Sequence, residues 1–257
     1  MLKAIAARLR QGHRTIGFPT PEPLLPDRFR GLPRLDEARC VADCSACAEA
    51  CPTDAISADG GALRLDLGRC LFCTECRDAC PEGAIAYTTD YRLAARTRAD
   101  LVLRDDGVRL ASALDEESRR IFGRSLKLRQ VSAGGCNGCE AEVSVLNTVV
   151  FDLGRFGIQF VASPRHADGI LITGPVTANM LLAVKKTYDA VPRPKIVIAV
   201  GACAIAGGPF IGHSEVHDGA DAAVPVDLYV PGCPPHPLTI LDGLLRLLGK
   251  MPAPVPA

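Results

Sequence analysis

Residues 132–142 read Ser132-Ala133-Gly134-Gly135-Cys136-Asn137-Gly138-Cys139-Glu140-Ala141-Glu142. They follow an apolar, strand-like run at 126–131 and open a segment of helical character that extends to about residue 150. At C-x2-C spacing one turn of backbone presents two thiolates to one metal centre, so the stretch reads as half of an iron–sulfur site. A zinc knuckle, or two reduced thiols in a core, would use the same two residues. The other ten of the twelve cysteines have to separate these readings.

A chain of 257 residues holds one large domain or two ordinary ones, and 48% hydrophobic against 23% charged residues is a globular composition. Formal net charge is zero, which argues against nucleic acid as the main partner. The longest nearly unbroken apolar run, residues 196–206, is far short of the roughly 20 that span a bilayer. No apolar leader segment follows the basic residues 1–14, so a cytoplasmic location is the expectation. In a reducing compartment, closely spaced cysteines are metal ligands rather than disulfides.

The strongest local signal is an internal repeat. Cys44-x2-Cys47-x3-Cys51-Pro52-x2-Ala55-Ile56 recurs as Cys73-x2-Cys76-x3-Cys80-Pro81-x2-Ala84-Ile85, and Cys40 and Cys70 precede the two halves. The second half is the bacterial two-cluster ferredoxin pattern; the first has three residues rather than two between Cys40 and Cys44. The extra residue is expected in the loop before Cys44. Three close cysteines wrap three corners of a cubane, and the fourth, before proline, reaches the other cluster. By that crossing rule Cys40, Cys44, Cys47 and Cys80 hold cluster 1, and Cys70, Cys73, Cys76 and Cys51 hold cluster 2. Zinc suits separated tetrahedral pairs better than these triplets.

With its flanks, T-I-G-F-P at 15–19, R-G-L-P-R at 30–34 and L-D-L-G-R-C-L-F-C at 65–73, this segment resembles the ferredoxin-like subunits of complex I and of membrane-bound [NiFe] hydrogenases. The resemblance covers about the first hundred residues. Leu2, Ile5, Ala6 and Leu9 fall on one face of a basic amphipathic helix, which is read either as solvated or as lying on a membrane or membrane subunit. In the family this helix lies on the membrane arm, so the resemblance implies docking. Pro19, Pro21, Pro23, Pro26 and Pro33 make residues 15–35 an extended segment running over a surface.

Residues 92–129 are charge-rich, with Asp105 and Asp106, Arg119 and Arg120, and read as a partly helical, solvated stretch. Beyond it the pattern becomes α/β. Residues 158–161, 169–173, 195–200 and 226–230 read as short buried strands, and 178–190 as a crossover helix. An apolar helix at 238–248 closes the fold. The expected fold is therefore an α+β dicluster ferredoxin domain followed by an α/β domain with a short parallel sheet of flavodoxin-like, complex I terminal-cluster subunit type. The expected division is residues 1–35 (amphipathic helix and docking segment), 36–114 (ferredoxin domain) and 115–257 (α/β domain). Ligands of such sheets sit outside the carboxyl ends of the strands. The remaining cysteines fall there: Cys136, Cys139, Cys203 in G-A-C-A and Cys233 in P-G-C-P-P, the complement of one more cubane or of an all-cysteine zinc site.

G-G-C-N-G-C-E-A-E, S-P-R-H-A-D at 163–168, T-G-P-V-T at 173–177, G-A-C-A and P-G-C-P-P-H-P look like the small subunit of the group 4, energy-converting [NiFe] hydrogenases, homologous to the complex I subunit that carries the terminal cluster. The resemblance runs from about residue 123 to 248. It implies that Cys136, Cys139, Cys203 and Cys233 hold cluster 3, proximal to the active site of a partner large subunit. The complex I subunit has two adjacent cysteines where Asn137 and Gly138 separate Cys136 from Cys139; the separated pair is the hydrogenase form. Glu142 is expected on the cluster side of the opening helix, as a proton relay or as an acid held by the helix dipole. Arg165 and His166 are placed by the resemblance at the large-subunit interface, in a packing or positioning role.

The whole reading is a non-catalytic electron-transfer subunit of an oxidoreductase, carrying three [4Fe–4S] clusters in a formate hydrogenlyase-like membrane-associated hydrogenase. Its expected partners are a [NiFe] hydrogenase-type large subunit, integral membrane subunits, and a formate dehydrogenase or other ferredoxin-type donor, with no nucleic acid. It would sit peripherally on the inner face of the cell membrane. Competing readings are a quinone-reducing complex I-like subunit, a free polyferredoxin carrier, and a zinc-stapled scaffold.

Overall fold

The cysteine repeats fold as two short helices braced by short strands, and the Ile- and Val-rich runs fold as a parallel sheet against which that unit is seated. The computed structural model describes residues 2–41, 43–59, 62–103 and 107–251; Met1, Asp105 and Asp106 lie outside these residues. The amino-terminal half comprises α1 (Leu2–Gln11), β1 (Pro33–Leu35), α2 (Ala46–Glu49), β2 (Ile56–Asp59), β3 (Ala62–Asp66), α3 (Glu75–Ala79), β4 (Ile85–Tyr87) and β5 (Val102–Leu103). Strands β1 and β4 pair antiparallel, and β2, β3 and β5 form a second antiparallel sheet. Every residue of α1 that is described is exposed, including Leu2 and Leu9 on its apolar face.

The carboxyl-terminal half comprises α4 (Glu116–Phe122), β6 (Leu126–Ser132), α5 (Gly138–Val145), β7 (Ile158–Phe160), β8 (Gly169–Thr173), α6 (Ala178–Ala190), β9 (Ile196–Val200), α7 (Ala202–Ala206), β10 (Leu228–Val230) and α8 (Pro237–Leu247). Its five strands are parallel, in the order β10-β9-β8-β6-β7. Renumbered within the sheet this is 2-1-3-4-5, the flavodoxin-like doubly wound order, and the direction of winding reverses between β6 and β8. The expected fold class is the observed one.

Strand periodicity divides the sheet's side chains between two cores. Leu126, Leu128, Leu171, Ile196, Ile198, Val200, Leu228 and Val230 pack with Val143 and Leu146 of α5 and with Leu241, Leu244 and Leu245 of α8. On the other face Ile170, Ile172, Val197, Ala199 and Tyr229 share a core with Val184, Ile205 and, from the amino-terminal half, Leu65, Leu67, Leu101 and Cys70. The second core therefore crosses from one half of the chain to the other. Gly68 shows how closely they meet, because a Cβ there would stand 2.7 Å from the Ile205 side chain.

One expectation needs revision. The helix after Cys139 does not reach residue 150 but ends at Val145. The Thr148 hydroxyl takes the Val145 carbonyl, and the Val149 and Val150 carbonyls accept instead from Thr15 Oγ1 and Ile16 N of the proline-rich segment. That segment is a strap, with Phe18 set edge-on to Tyr91 and Phe29 edge-on to His236. Contacts also cross the division expected near residue 115. Ala94, Ala111 and Leu114 lie in the carboxyl-terminal core, and Ala95 exchanges both backbone hydrogen bonds with Tyr229 on the outer edge of β10.

Helix α8 is buried along its whole length and carries an ion pair into the core: Arg246 Nε donates to Asp242 Oδ2 at 2.8 Å. Among the described residues Asp242 Oδ1 has no hydrogen-bond partner. Burial pushes the Asp242 carboxyl up from its ordinary range, and Arg246 opposes this. Removing one partner of such a pair leaves an uncompensated buried charge. Arg246→Met should therefore cost about 3–5 kcal/mol, read by anaerobic denaturant unfolding. The double change Asp242→Leu with Arg246→Leu should cost far less; equal losses for the two variants would show that the pair is not what α8 depends on.

Candidate functional site

Prolines 52 and 81 turn the chain away after the last cysteine of each repeat, which sends that cysteine across to the other half. Cys40, Cys44, Cys47 and Cys80 line one cavity with Leu63, Ala84 and Ile85. Cys51, Cys70, Cys73 and Cys76 line another with Leu65, Leu71 and Tyr87. These are the two quartets grouped by the crossing rule. The extra residue of the first repeat is absorbed where expected: Cys44 N donates to Val41 O, and Asp43 takes a left-handed φ of 61°. Backbone amides aim at the crossing sulfurs, Ala55 N to Cys51 Sγ at 3.2 Å and Ala84 N to Cys80 Sγ at 3.3 Å. These two bonds are equivalents within the repeat.

The other four thiols come from the carboxyl ends of the parallel strands. Cys136 follows β6, Cys139 lies in the first turn of α5, Cys203 lies in α7 directly after β9, and Cys233 follows β10. Register aligns Ser132 with Thr173, Thr173 with Val200 and Val200 with Val230, so the four strands end level. Glycine is required where the loops close in. At Gly201, φ is +93° and a Cβ would stand 2.4 Å from Cys139 Sγ. At Gly174, φ is +84° and a Cβ would stand 2.5 Å from Gly135 N, across the point where the winding reverses. Cys203 is buried, whereas Cys136 and Cys233 are exposed, so the third site opens on the surface.

The sulfurs of each quartet feel one another. Burial, and then Cys203, Glu140, Cys233 and Cys136, push the Cys139 thiol up. Burial and then Cys233 and Cys136 push Cys203 up to about 12. Burial likewise takes Cys70 to about 12 against hydrogen bonds from Phe72 N and Tyr87. Four thiolates packed this closely need positive charge between them. The sulfurs of each ferredoxin quartet line a cavity of their own. An all-sulfur, soft donor set with that spacing fits an iron–sulfur cubane.

The three sites also adjoin in series: α2, which carries Cys47, packs on α3, which carries Cys76, and Cys73 and Cys233 line one cleft. The cleft between the second and third sites is lined by Arg28, Phe29, Arg30, Cys73, Glu142, Cys233 and His236, among others. Glu142 is thus half-buried on the side of the third site that faces the ferredoxin half, and burial raises its carboxyl.

Sequence reasoning missed Glu140. It is 9% exposed, and its Oε1 accepts from Ser132 Oγ at 2.6 Å and Thr173 Oγ1 at 2.7 Å. It ties the start of α5 to the ends of β6 and β8, and its charge reaches Cys139 and Cys203. Only the register that sets Ser132 beside Thr173 reveals it. Arg165 and His166 do not join the cysteine site. They are exposed and line a cleft with Lys127, Asp168 and Arg193, at the amino ends of the strands.

Comparison with known proteins follows this division. Residues 136–247 match the family model of the NADH ubiquinone oxidoreductase 20 kDa subunit, and residues 39–84 that of a 4Fe-4S dicluster domain. The chain is 46% identical to the probable membrane-bound hydrogenase subunit mbhJ of Pyrococcus furiosus over 132 residues, 51% of this chain and 79% of that protein. It is 46% identical to formate hydrogenlyase subunit 7 of Escherichia coli over 128 residues, half of each chain. It is 50% identical to an NADH-quinone oxidoreductase subunit of Citrifermentans bemidjiense over 113 residues, 44% of this chain and 66% of that one. The alignment thus spans half to about two thirds of the latter two proteins.

Because Gly201 leaves no room for a Cβ beside Cys139, Gly201→Ala should disturb the third site alone. Anaerobically prepared protein should lose about a third of its iron relative to wild type, with the ferredoxin-type signals intact. Unchanged iron content would show that the approach of Gly201 to Cys139 is not needed there.

Proposed function

Because the chain belongs to the family of the NADH ubiquinone oxidoreductase 20 kDa subunit, carried in one polypeptide with a 4Fe-4S dicluster domain, we propose that it is the electron-transfer subunit of a membrane-associated [NiFe] hydrogenase complex of formate hydrogenlyase type. Three [4Fe–4S] clusters, when bound, would each supply one-electron storage. Cys40, Cys44, Cys47 and Cys80 hold the first. Cys51, Cys70, Cys73 and Cys76 hold the second, and Cys136, Cys139, Cys203 and Cys233 the third. The observation that carries the reading is that the quartets adjoin in series: α2, with Cys47, packs on α3, with Cys76, and Cys73 shares a cleft with Cys233. A freely diffusing carrier has no use for a third site built into a separate sheet and opened on the surface at Cys136 and Cys233.

The residues divide the work. Gly201, Gly174 and Glu140 hold the loops of the third site close enough for a large subunit to cover it. Glu142 is a half-buried carboxyl beside that opening, placed to pass a proton to the covering subunit. The apolar face of α1 docks on integral membrane subunits. That placement makes the protein peripheral on the inner face of the membrane; among the described residues no helix is long and apolar enough to cross it. Electrons enter from a formate dehydrogenase or another ferredoxin-type donor. A quinone-reducing, complex I-like role is the second reading, favoured by the identity to the NADH-quinone oxidoreductase relative. The separation of Cys136 from Cys139 decides for the hydrogenase.

Iron and sulfide analysis of anaerobic protein should return about twelve irons per chain, and fewer than about eight would sink the cluster count. Cys203→Ala should remove one EPR signal and leave the ferredoxin pair. The complex purified with its large subunit should contain nickel, and hydrogen gas should reduce all three clusters. A large subunit without nickel, with reduction by quinol instead, would transfer the protein to the complex I-like reading.

A further inference from the structure

The two ferredoxin sites are copies by sequence, and the copy is imperfect at two side chains that reach the sulfurs of the second: Thr53, whose hydroxyl lies 3.9 Å from Cys51 Sγ but donates to Arg69 O at 2.9 Å, and Tyr87, whose phenol has no other acceptor among the described hydrogen bonds. Tyr87 Oη lies 3.7 Å from Cys76 Sγ and 4.0 Å from Cys70 Sγ. Tyr87 ends β4, half-buried, its ring 6.2 Å from that of Phe72. The repeat A-I-A-Y at 84–87 corresponds to A-I-S-A at 55–58, so Ala58 stands where Tyr87 would in the first copy. The cavity of Cys40, Cys44, Cys47 and Cys80 is lined by no hydroxyl-bearing side chain among the described residues. Its charged neighbours, Arg39 and Glu82, are of opposite sign. The second site has a further amide, Phe72 N, at 3.3 Å from Cys70 Sγ. It also has a cation tied to its loop, since Arg30 Nη1 donates to Phe72 O at 2.9 Å and Cys73 O at 3.2 Å.

A sulfur that ligates iron carries no proton, so between Tyr87 and the two cysteines only the phenol can donate. Hydrogen bonds to cluster sulfur favour the more negative, reduced state, and so does nearby positive charge. We infer that Tyr87 is a tuning residue that raises the reduction potential of the second ferredoxin cluster above that of the first. At equilibrium the single electron shared by the pair then rests on the cluster beside Cys233. One electron leaves the first site and one arrives at the second, and the phenol keeps its proton throughout. Pseudo-symmetry is thereby broken toward the third site. The inference rests on the cluster assignments proposed above.

The experiment is an EPR-monitored potentiometric titration of the full chain, wild type and Tyr87→Phe, with the cluster 2 signal identified by its alteration in Cys51→Ser. Wild-type cluster 2 should titrate above cluster 1. In Tyr87→Phe the ratio of reduced to oxidised cluster 2 at a fixed potential should fall about tenfold, a shift of about 59 mV for one electron. Cluster 1 should not move. A proton that exchanges in deuterium oxide and couples to reduced cluster 2 in ENDOR spectra should be lost with the hydroxyl. The phenylalanine keeps the ring against Phe72, so the fold is retained. Both clusters present with cluster 2 unmoved, or both shifted equally, would overturn the inference and leave the cluster assignment standing. Iron below eight atoms per chain would overturn the two together.

Discussion

A sulfur anion in a dry pocket is tolerated only where positive charge stands against it. Twelve thiols grouped by fours, several of them pushed well up by burial and by one another, are unfavourable neighbours in a folded chain until positive charge lies between them. Much of the local backbone is shaped to that requirement. Amides aim at the crossing sulfurs, glycines clear the space beside Cys139 and Cys203, and prolines turn the chain after each repeat. Folding and metal loading are linked in such sites, because the ligands are assembled only when the strands are.

The second constraint is relative placement. Electron transfer between quartets requires that the two halves of the chain be held at fixed separation, and the packing provides this three times over. One hydrophobic core runs from Leu65 and Leu101 into Ile170 and Ile205. The strap at residues 15–29 is bonded to the end of α5 at one end and packs on His236 at the other. Ala95 completes the sheet edge at Tyr229. The cleft holding Cys73, Glu142 and Cys233 is therefore bordered by contacts that join the two halves of the chain.

Much of this was legible in the residues. Spacing alone grouped the eight ferredoxin cysteines, because ligand geometry is local and a shift of one residue, as between Cys40 and Cys44, is absorbed in a single turn. Strand positions and the α6 crossover followed from apolar runs bounded by glycine and proline. What escaped notice was set by contacts distant in sequence. Glu140 matters because Ser132 and Thr173 end adjacent strands, and the loop after α5 is held by the strap, whose Thr15 and Ile16 donate to the Val149 and Val150 carbonyls. Arg165 and His166 lie at the opposite end of the sheet from the cysteines, a fact that depends on how the short β7–β8 connection returns. No periodicity encodes these relations.

The antiparallel pairing of Ala95 with Tyr229 bears on how such proteins are assembled from parts. An outer strand of an open sheet offers unpaired donors and acceptors to any passing chain. Here that edge is stoppered by a segment lying on the ferredoxin side of the nominal join. Where the same two modules exist as separate polypeptides, cutting between them would uncork β10, and some other segment has to take its place. Fusion here is thus more than a tether for raising local concentration: the first module supplies a structural piece of the second.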